Sequence, residues 1–219
     1  AIGGPARIAA LGALRASGYV VTEGKRVRFS LTAARPDRIR LETEAGGRTL
    51  VQGSDGVEPP WEFDTGALPP HYRAMAGPVA KTFVADAEFD DPLVAGEARG
   101  FVLDYAGEVE VEGTKLLRLL VTRKMTETSY VLLDADTYLI VQRTEARTSP
   151  AGRTLQIVTR YGDFRPVDGV LLPHEISVEI DGRRVQQTKI EAIDANPELA
   201  SETFTRPKAV SGPSQPGKP

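Results

Sequence analysis

Predicted strands, in which apolar and polar residues alternate, fill most of this chain from about residue 19 to residue 193. Residue pairs that contain glycine form the turns between them. In residues 25–32, for example, Val27, Phe29 and Leu31 alternate with charged or hydroxyl-bearing side chains. Period-two alternation is typical of a strand with one face buried and the other in water. A chain of this kind is constrained to a wide sheet with one apolar face, and it has few helices to cover that face.

Two Asp-Gly pairs, at residues 168–169 and 181–182, lie between apolar runs and predict tight hairpins. Both central residues of a type I′ turn need a positive φ, which Asp and Gly tolerate better than most residues. Together with the other turns, they predict about ten or eleven antiparallel strands, a number that suits a barrel or a strongly curved sheet. The fold class is therefore mainly β with a minor helical part (α+β).

Opposite charges suggest how the second and third predicted strands pair across the turn at residues 35–37. Pairing Arg28 with Glu42 would oppose their charges on the ladder. The same register would place Phe29 and Leu41 on one face of the sheet, since side chains alternate with period two.

Two segments break the alternation and predict helices. Residues 5–17 predict a short helix, with Pro5 in its first turn and Gly18 just after its end. Residues 67–88 carry apolar side chains at a spacing of three to four, with Gly77-Pro78 expected to end or kink the helix midway. This second segment is the candidate lid over the apolar face.

Composition restricts the class of protein. The 219 residues are 41% hydrophobic with a net charge of -3, which is typical of a globular protein and not of a nucleic-acid binder. The absence of cysteine excludes disulfides and thiolate chemistry, and it is compatible with a periplasmic protein whose signal peptide has been removed. We predict a single domain over residues 1–207 and a flexible Pro/Gly-rich tail over residues 208–219.

No catalytic or metal-binding pattern stands out, so neither a cofactor nor a metal is predicted. His71 and His174 are far apart in the sequence, and both are expected at exposed or edge positions. A phosphate-binding loop, a nucleophile elbow and a dinucleotide fingerprint are all missing. A hydrolase with carboxylates from different strands stays open, because spacing along the sequence does not exclude such a pair.

Apolar surface is what the strands do offer. Seven strand residues are expected on one face of a curved sheet: Phe29, Leu31, Ile39, Leu41, Leu103, Leu119 and Ile157. Trp61 is either a core aromatic or part of a cavity wall. Burying an alkyl chain on such a face yields about 0.8 kcal/mol per methylene, so acyl chains would bind without a polar motif. A solid β core is the alternative.

Short motifs in a particular order extend over nearly the whole chain. They are Ala34-Arg35-Pro36-Asp37-Arg38-Ile39-Arg40, Ser54-Asp55-Gly56, Trp61-Glu62-Phe63, Tyr161-Gly162-Asp163-Phe164-Arg165, Val167-Asp168-Gly169-Val170-Leu171-Leu172-Pro173 and Asn196-Pro197-Glu198-Leu199, closed by Phe204 and Pro207. Each motif is degenerate, but their order resembles the lipoprotein carriers of the LolA/LolB superfamily, which includes outer-membrane lipoprotein-sorting proteins.

The resemblance implies an incomplete antiparallel β-barrel with a helical lid over an apolar cavity. It further implies a monomeric, non-enzymatic periplasmic carrier whose partners are lipid or lipoprotein acyl chains and inner- or outer-membrane transport proteins, with no nucleic acid. Met75 and Val79 would line the cavity from the lid. Arg35 matches the family's Arg beside Pro, which contacts the lid and holds the empty cavity shut; the alternative is a solvated turn arginine.

Two classes of function therefore stay open beside the hydrolase. The first is a carrier or binder of lipids or lipoproteins that holds acyl chains in an apolar cavity. The second is a non-enzymatic protein-interaction or sensor module that uses the same groove for a peptide or a segment of a partner.

Overall fold

A computed structural model describes residues 1–67, 71–86, 89–123, 127–149 and 152–206, so the predicted tail lies outside the described residues. The helices are α1 (Pro5–Ala10), α2 (Gly77–Asp86) and α3 (Pro92–Ala95), with a 3-10 turn at Gly96–Arg99. The strands are β1 (Ala13–Thr22), β2 (Lys25–Ala34), β3 (Arg38–Ala45), β4 (Arg48–Ser54), β5 (Trp61–Asp64), β6 (His71–Ala74), β7 (Phe101–Val111), β8 (Thr114–Arg123), β9 (Glu127–Asp134), β10 (Ile140–Thr148), β11 (Thr154–Val167), β12 (Val170–Ile180) and β13 (Arg183–Ala195).

All thirteen strands of the described residues belong to one antiparallel sheet. Its order is β6-β5-β4-β3-β2-β1-β13-β12-β11-β10-β9-β8-β7. Two meanders, β1 to β6 and β7 to β13, are therefore joined by the pairing of the first strand with the last. We call them the N-terminal wing and the C-terminal wing. The predicted mainly-β, antiparallel fold is confirmed.

The predicted hairpins form where the Asp-Gly pairs stand. Asp168 and Gly169 have φ values of 49° and 76° between β11 and β12. Asp181 and Gly182 have φ values of 48° and 77° between β12 and β13. All four values lie in the left-handed region that a type I′ turn requires.

The predicted N-terminal helix is too long. Helix α1 ends at Ala10, and β1 already begins at Ala13. Leu14, which lies within the predicted helix of residues 5–17, instead pairs with Ala33 on one side and Ala195 on the other. Short isolated helices are marginal in water, so the two-sided strand pairing prevails over the local pattern.

The predicted insert contains a strand as well as a helix. Strand β6 takes up its first part, and helix α2 begins only at Gly77, which has a φ of 59°. Gly77-Pro78 therefore starts the helix and does not kink it, which agrees with the tolerance for proline in a first turn. Strand β6 is also one reason why the sheet has thirteen strands, more than the predicted ten or eleven.

The predicted pairing of β2 with β3 is wrong by two residues. Arg28 lies opposite Glu44, and Ser30 lies opposite Glu42. A shift of two residues preserves the faces, so Phe29 and Leu41 still point to the same side. The turn at residues 35–37 sets the register because it joins Ala34 directly to its partner Arg38, and turn length dominates over one exposed charge pair.

Residues 89–99, which we call the strap, cross between the two wings. Arg35 at the end of β2 binds Asp90, and Arg143 of β10 binds the adjacent Asp91. In a flat sheet β2 and β10 would lie five strand spacings apart, about 24 Å. The two aspartates are consecutive, so their Cα atoms are only about 3.8 Å apart. The sheet must therefore curl around the strap.

The ion pair between Arg99 and Asp37 extends this conclusion to the end of the sheet. Their Nη2 and Oδ2 atoms are 2.7 Å apart, although β7, which begins two residues after Arg99, lies eight strand spacings from β2. Flat spacing would separate those strands by about 38 Å. The result is an open, incomplete antiparallel barrel, and the side that carries the strap is its concave face.

Each wing has a small core, and the two cores lie on opposite faces. In the C-terminal wing, Phe101, Val121 and Val131 are buried on the concave face, and Leu93 of the strap packs against them. In the N-terminal wing the buried cluster contains Ala13, Ala34 and Phe204, with Leu199 packed against it. The ladder register puts Ala13 and Ala34 on the convex face, which the segment of residues 196–206 covers.

No helix among the described residues has both the length and the apolar character needed to span a bilayer.

Candidate functional site

The concave face brings together seven of the predicted ligand-binding residues. Leu31 pairs directly with Leu41. The ladder continues the same face across the sheet in the order β3-β2-β1-β13-β12-β11-β10-β9-β8-β7. The seven are Phe29, Leu31, Ile39, Leu41, Leu103, Leu119 and Ile157. Ile39 is buried, five are half-buried, and Leu103 is 40% exposed. The alternation of the sequence therefore predicted which of these apolar side chains share one face, and polar side chains such as Arg143 and Glu145 of β10 lie on the same face.

Trp61 lies on the other face. It pairs with Gly53, and Gly53 pairs with Arg40. The concave face carries Ile39 and Leu41 on either side of Arg40, so Arg40, Gly53 and Trp61 point to the convex face. A Cβ on Gly53 would stand 2.4 Å from the indole ring, so glycine lets the ring lie flat on β4. Trp61 is 3% exposed and has the Arg40 guanidinium 6.0 Å from its ring. Trp61 therefore belongs to the convex side, which favours the core aromatic over the cavity wall among its two predicted roles.

The two predicted lid residues differ in their surroundings. Met75 is buried, and its N–H donates to the carbonyl of Pro60 at 2.7 Å. Val79 on α2 is 63% exposed. The segment that lies on the concave face is the strap, immediately after the predicted lid.

Arg35 holds two separate segments at once. Its Nη2 donates to the carbonyl of Ile8 at 2.9 Å and its Nη1 to those of Ala9, at 3.2 Å, and Leu11. These carbonyls belong to the C-terminal end of α1, where helical carbonyls have no partner within the helix. Its Nε donates to Asp90 Oδ2 at 2.9 Å. The guanidinium thus ties α1, the strap and the end of β2 together.

The Arg35–Asp90 pair is partly shielded from water, with side chains 26% and 20% exposed. The hydrogen bond that Arg35 donates to Asp90 is the main cause that raises the pKa of the Arg35 guanidinium above its usual value. A planar guanidinium can serve several acceptors at fixed angles, which an ammonium cannot do. This geometry accounts for an arginine at residue 35.

Asp91 has two roles in the strap. Its Oδ1 accepts from the N–H of Leu93 at 2.8 Å and caps α3. Its Oδ2 accepts from Arg143 Nη2 at 2.6 Å. The Nε of Arg143 is buried and is the one buried side-chain polar atom without a partner among the described residues. The strap is therefore attached to the floor of the C-terminal wing as well as to β2.

A cavity of about 640 Å³ lies between the N-terminal segment, the strap and the turn before β10. Most of its wall is apolar. It is lined by Ala1, Ile2, Gly4, Pro5, Ile8, Ala9, Arg35, Asp90, Asp91, Leu93, Val94, Tyr138 and Ile140. Of the predicted site residues it includes only the proposed latch, Arg35. Sequence reasoning missed the others because they come from loops and short helices, where no periodic pattern marks a shared surface.

The polar groups near this cavity do not favour hydrolysis. The two carboxylates in its wall, Asp90 and Asp91, are consecutive, and an arginine binds each of them. His174 was expected at an exposed or edge position, but it is 5% exposed on the central strand β12, with Nδ1 3.0 Å from the carbonyl of Leu172. The side chain of His71 lies outside the described ones.

Comparison with known proteins shows the fold. No protein-family sequence model and no curated protein sequence matches this chain. Among solved structures, a domain assigned to outer membrane lipoprotein sorting from Vibrio parahaemolyticus has a TM-score of 0.61 and 12% identity, covering 91% of this chain and 92% of that chain. A LolA superfamily protein from Nitrosomonas europaea has a TM-score of 0.59 and 14% identity, covering 89% and 90%.

A DUF1329 family protein from Desulfovibrio piger has a TM-score of 0.61 and 12% identity, covering 91% of this chain and 93% of that chain. All three likenesses extend over about nine-tenths of both partners. The architecture is that of an open half-barrel with a covered apolar face. The chain has the LolA-like fold, as the order of its sequence motifs predicted.

Proposed function

We propose that this protein is a periplasmic carrier or binder of lipids or lipoproteins, which holds acyl chains against the concave face. The observation that carries the proposal is the apolar part of that face. Its residues are neither fully buried in a core nor fully exposed, as Leu31, Leu41 and Leu119 are half-buried and Leu103 is 40% exposed. A surface of this kind is expected to have an occupant.

The energetics agree with an alkyl ligand. Each buried methylene contributes about 0.8 kcal/mol, so a chain of ten methylenes gains on the order of 8 kcal/mol before the entropy of association is subtracted. The polar side chains that share this face include Arg143, which binds Asp91, and Glu145, which binds Arg147. The proposal assigns no catalytic activity to the protein.

Location and partners follow from the fold by analogy. One structural neighbour is described as a domain for outer membrane lipoprotein sorting, and transfer of acylated cargo between membranes requires a carrier that shields the chains from water. We infer a periplasmic location and transient contacts with membrane transport proteins on that basis. Function resides in a site and not in the fold as a whole, so binding at the concave face is the property that tests the proposal.

Two neighbouring residues of β7 provide a matched test. Leu103 points to the concave face and is 40% exposed, whereas Val102 points to the convex face and is 52% exposed. Leu103→Asp should weaken binding of a fluorescent long-chain fatty acid about tenfold or more, because it places a charge in the apolar site. Val102→Asp should leave binding within about twofold.

Thermal melts of both variants establish that the fold is intact. Equal losses in the two variants would contradict a concave binding face. A saturating titration of the wild-type protein without uptake would remove the carrier function, and capture of a protein partner in that case would favour the sensor module.

The proposal also includes Arg35 as the latch that keeps the empty site closed. Arg35→Lys keeps a charge beside Asp90 but cannot serve the α1 carbonyls in the same plane. Amide hydrogen exchange over residues 5–11 and 89–94 should accelerate about tenfold or more in the ligand-free protein. Arg165→Lys, which alters a local pair with Asp163 on a hairpin, serves as the control. Unchanged exchange would contradict the latch.

A further inference from the structure

The cavity of about 640 Å³ adjoins the concave face without being part of the predicted array. Leu93 and Ile140 line it, and both also pack against the buried cluster of the C-terminal wing. A chain lying on the concave face can therefore continue into this cavity. Ile2, Pro5 and Ile8 provide the opposite wall.

The volume limits how much alkyl chain the cavity holds. A methylene group occupies about the volume of one water molecule in the liquid, about 30 Å³. A space of about 640 Å³ therefore takes on the order of 20 methylenes. This corresponds to one long acyl chain, whereas two or three chains of ordinary length would need two or three times that volume.

The walls are attached at several points, so the cavity keeps this volume while the contacts of Arg35 and Asp91 are in place. Arg35 binds both α1 and the strap, and Asp91 binds Arg143. The N-terminal segment is held as well, because the N–H of Leu171 donates to the carbonyl of Ile2 at 2.9 Å. Widening the cavity would require breaking charge-assisted hydrogen bonds, which are stronger than neutral ones.

We propose that the cavity between α1 and the strap takes one acyl chain, so that the ligand is a single-chain amphiphile such as a fatty acid or a monoacyl lipid. This inference rests on the proposed function and restricts the class of cargo. A diacyl or triacyl cargo would have room for only one of its chains in this cavity.

The test is a chain-length series of free fatty acids from about 12 to about 24 carbons, titrated into the full-length protein by calorimetry. The Kd should fall about fourfold per methylene while the cavity fills, and it should level off or rise near about 20 carbons. The stoichiometry should be one chain per protein. A dipalmitoyl phospholipid should bind no more tightly than palmitic acid.

Two valines of similar exposure give a matched pair of variants. Val94 lines the cavity and is 39% exposed, whereas Val84 on α2 does not line it and is 43% exposed. Val94→Trp fills part of the cavity and should weaken binding of the longest chains about tenfold, with the optimum moved to shorter chains. Val84→Trp should leave the whole series unchanged.

The outcomes separate this inference from the function on which it rests. Absence of binding for every fatty acid and lipid would remove the carrier function itself. Binding in which the diacyl lipid is tighter than palmitic acid, or in which Val94→Trp behaves like Val84→Trp, would keep the carrier and overturn the single-chain cavity.

Discussion

The two wings of the sheet are covered by other segments of the chain on opposite faces. In the N-terminal wing, residues 196–206 cover the convex face, where Phe204 is 3% exposed beneath the Arg38 guanidinium. In the C-terminal wing, the strap covers the concave face, where Phe101 is 3% exposed. Both wings bury one phenylalanine almost completely, but only one of them does so inside the half-barrel.

This difference explains why the molecule has an apolar hollow instead of a second core. A sheet face is covered only where another segment reaches it. Because residues 196–206 lie outside, Phe29, Leu31 and Leu41 on the inner side of the N-terminal wing stay half-buried. The apolar face is thus left for a ligand at the place where none of the described segments covers it.

The largest expected effect tests the core of the C-terminal wing. Phe101→Ala should lower the free energy of unfolding by about 3–5 kcal/mol, because it leaves a cavity in a fully packed cluster. Urea denaturation measures the change. Tyr105→Ala, on the same face of the same strand but 63% exposed, is the control and should change stability little. Similar losses in both would mean that the strap does not seal this wing.

A smaller effect is expected in the N-terminal wing. Phe204→Ala should cost about 2–3 kcal/mol, since a segment near the end of the sheet can detach locally while the strands stay paired. Hydrogen exchange should show loss of protection over residues 199–205, with fatty-acid affinity unchanged because Phe204 lies on the convex face. If the variant lost its ligand affinity, the assignment of the two faces would be wrong.

The smallest effect concerns pH and the turn before β10. The Thr137 hydroxyl and backbone N–H groups bind Asp134 and lower the pKa of its carboxyl group. A carboxyl group with a lowered folded pKa stabilises the protein above its unfolded pKa, about 3.9, and loses that contribution as the pH falls through the folded value. The melting temperature should therefore fall less steeply below about pH 4 in Asp134→Asn.

Identical acid profiles for the wild-type protein and Asp134→Asn would show that this turn adds nothing to the stability of the C-terminal wing. Asp136→Asn, in the same turn, provides the comparison for a change of charge alone, because the Thr137 hydroxyl donates to Asp134 and not to Asp136.

Much of the architecture could be read from local patterns. The Asp-Gly pairs predicted two hairpins, and alternation predicted which residues share the concave face, because both depend only on neighbouring residues. The register of β2 and β3 was mispredicted because an exposed charge pair was given more weight than the turn. The choice between a core and a cavity position for Trp61 could not be made from the sequence, because its face depends on which residue of β5 pairs with Gly53.

The sequence by itself determined the strands, their turns and one apolar face, since period-two alternation and positive-φ turns are local properties. The tertiary structure alone decided the curl of the sheet, the end of α1 at Ala10 and the cavity beside the strap. The curl of the sheet and the cavity depend on ion pairs between residues 55, 62 and 52 positions apart, formed by Arg35, Arg99 and Arg143 with Asp90, Asp37 and Asp91, and the end of α1 depends on the strands that pair with β1. No local pattern encodes which distant charges will meet.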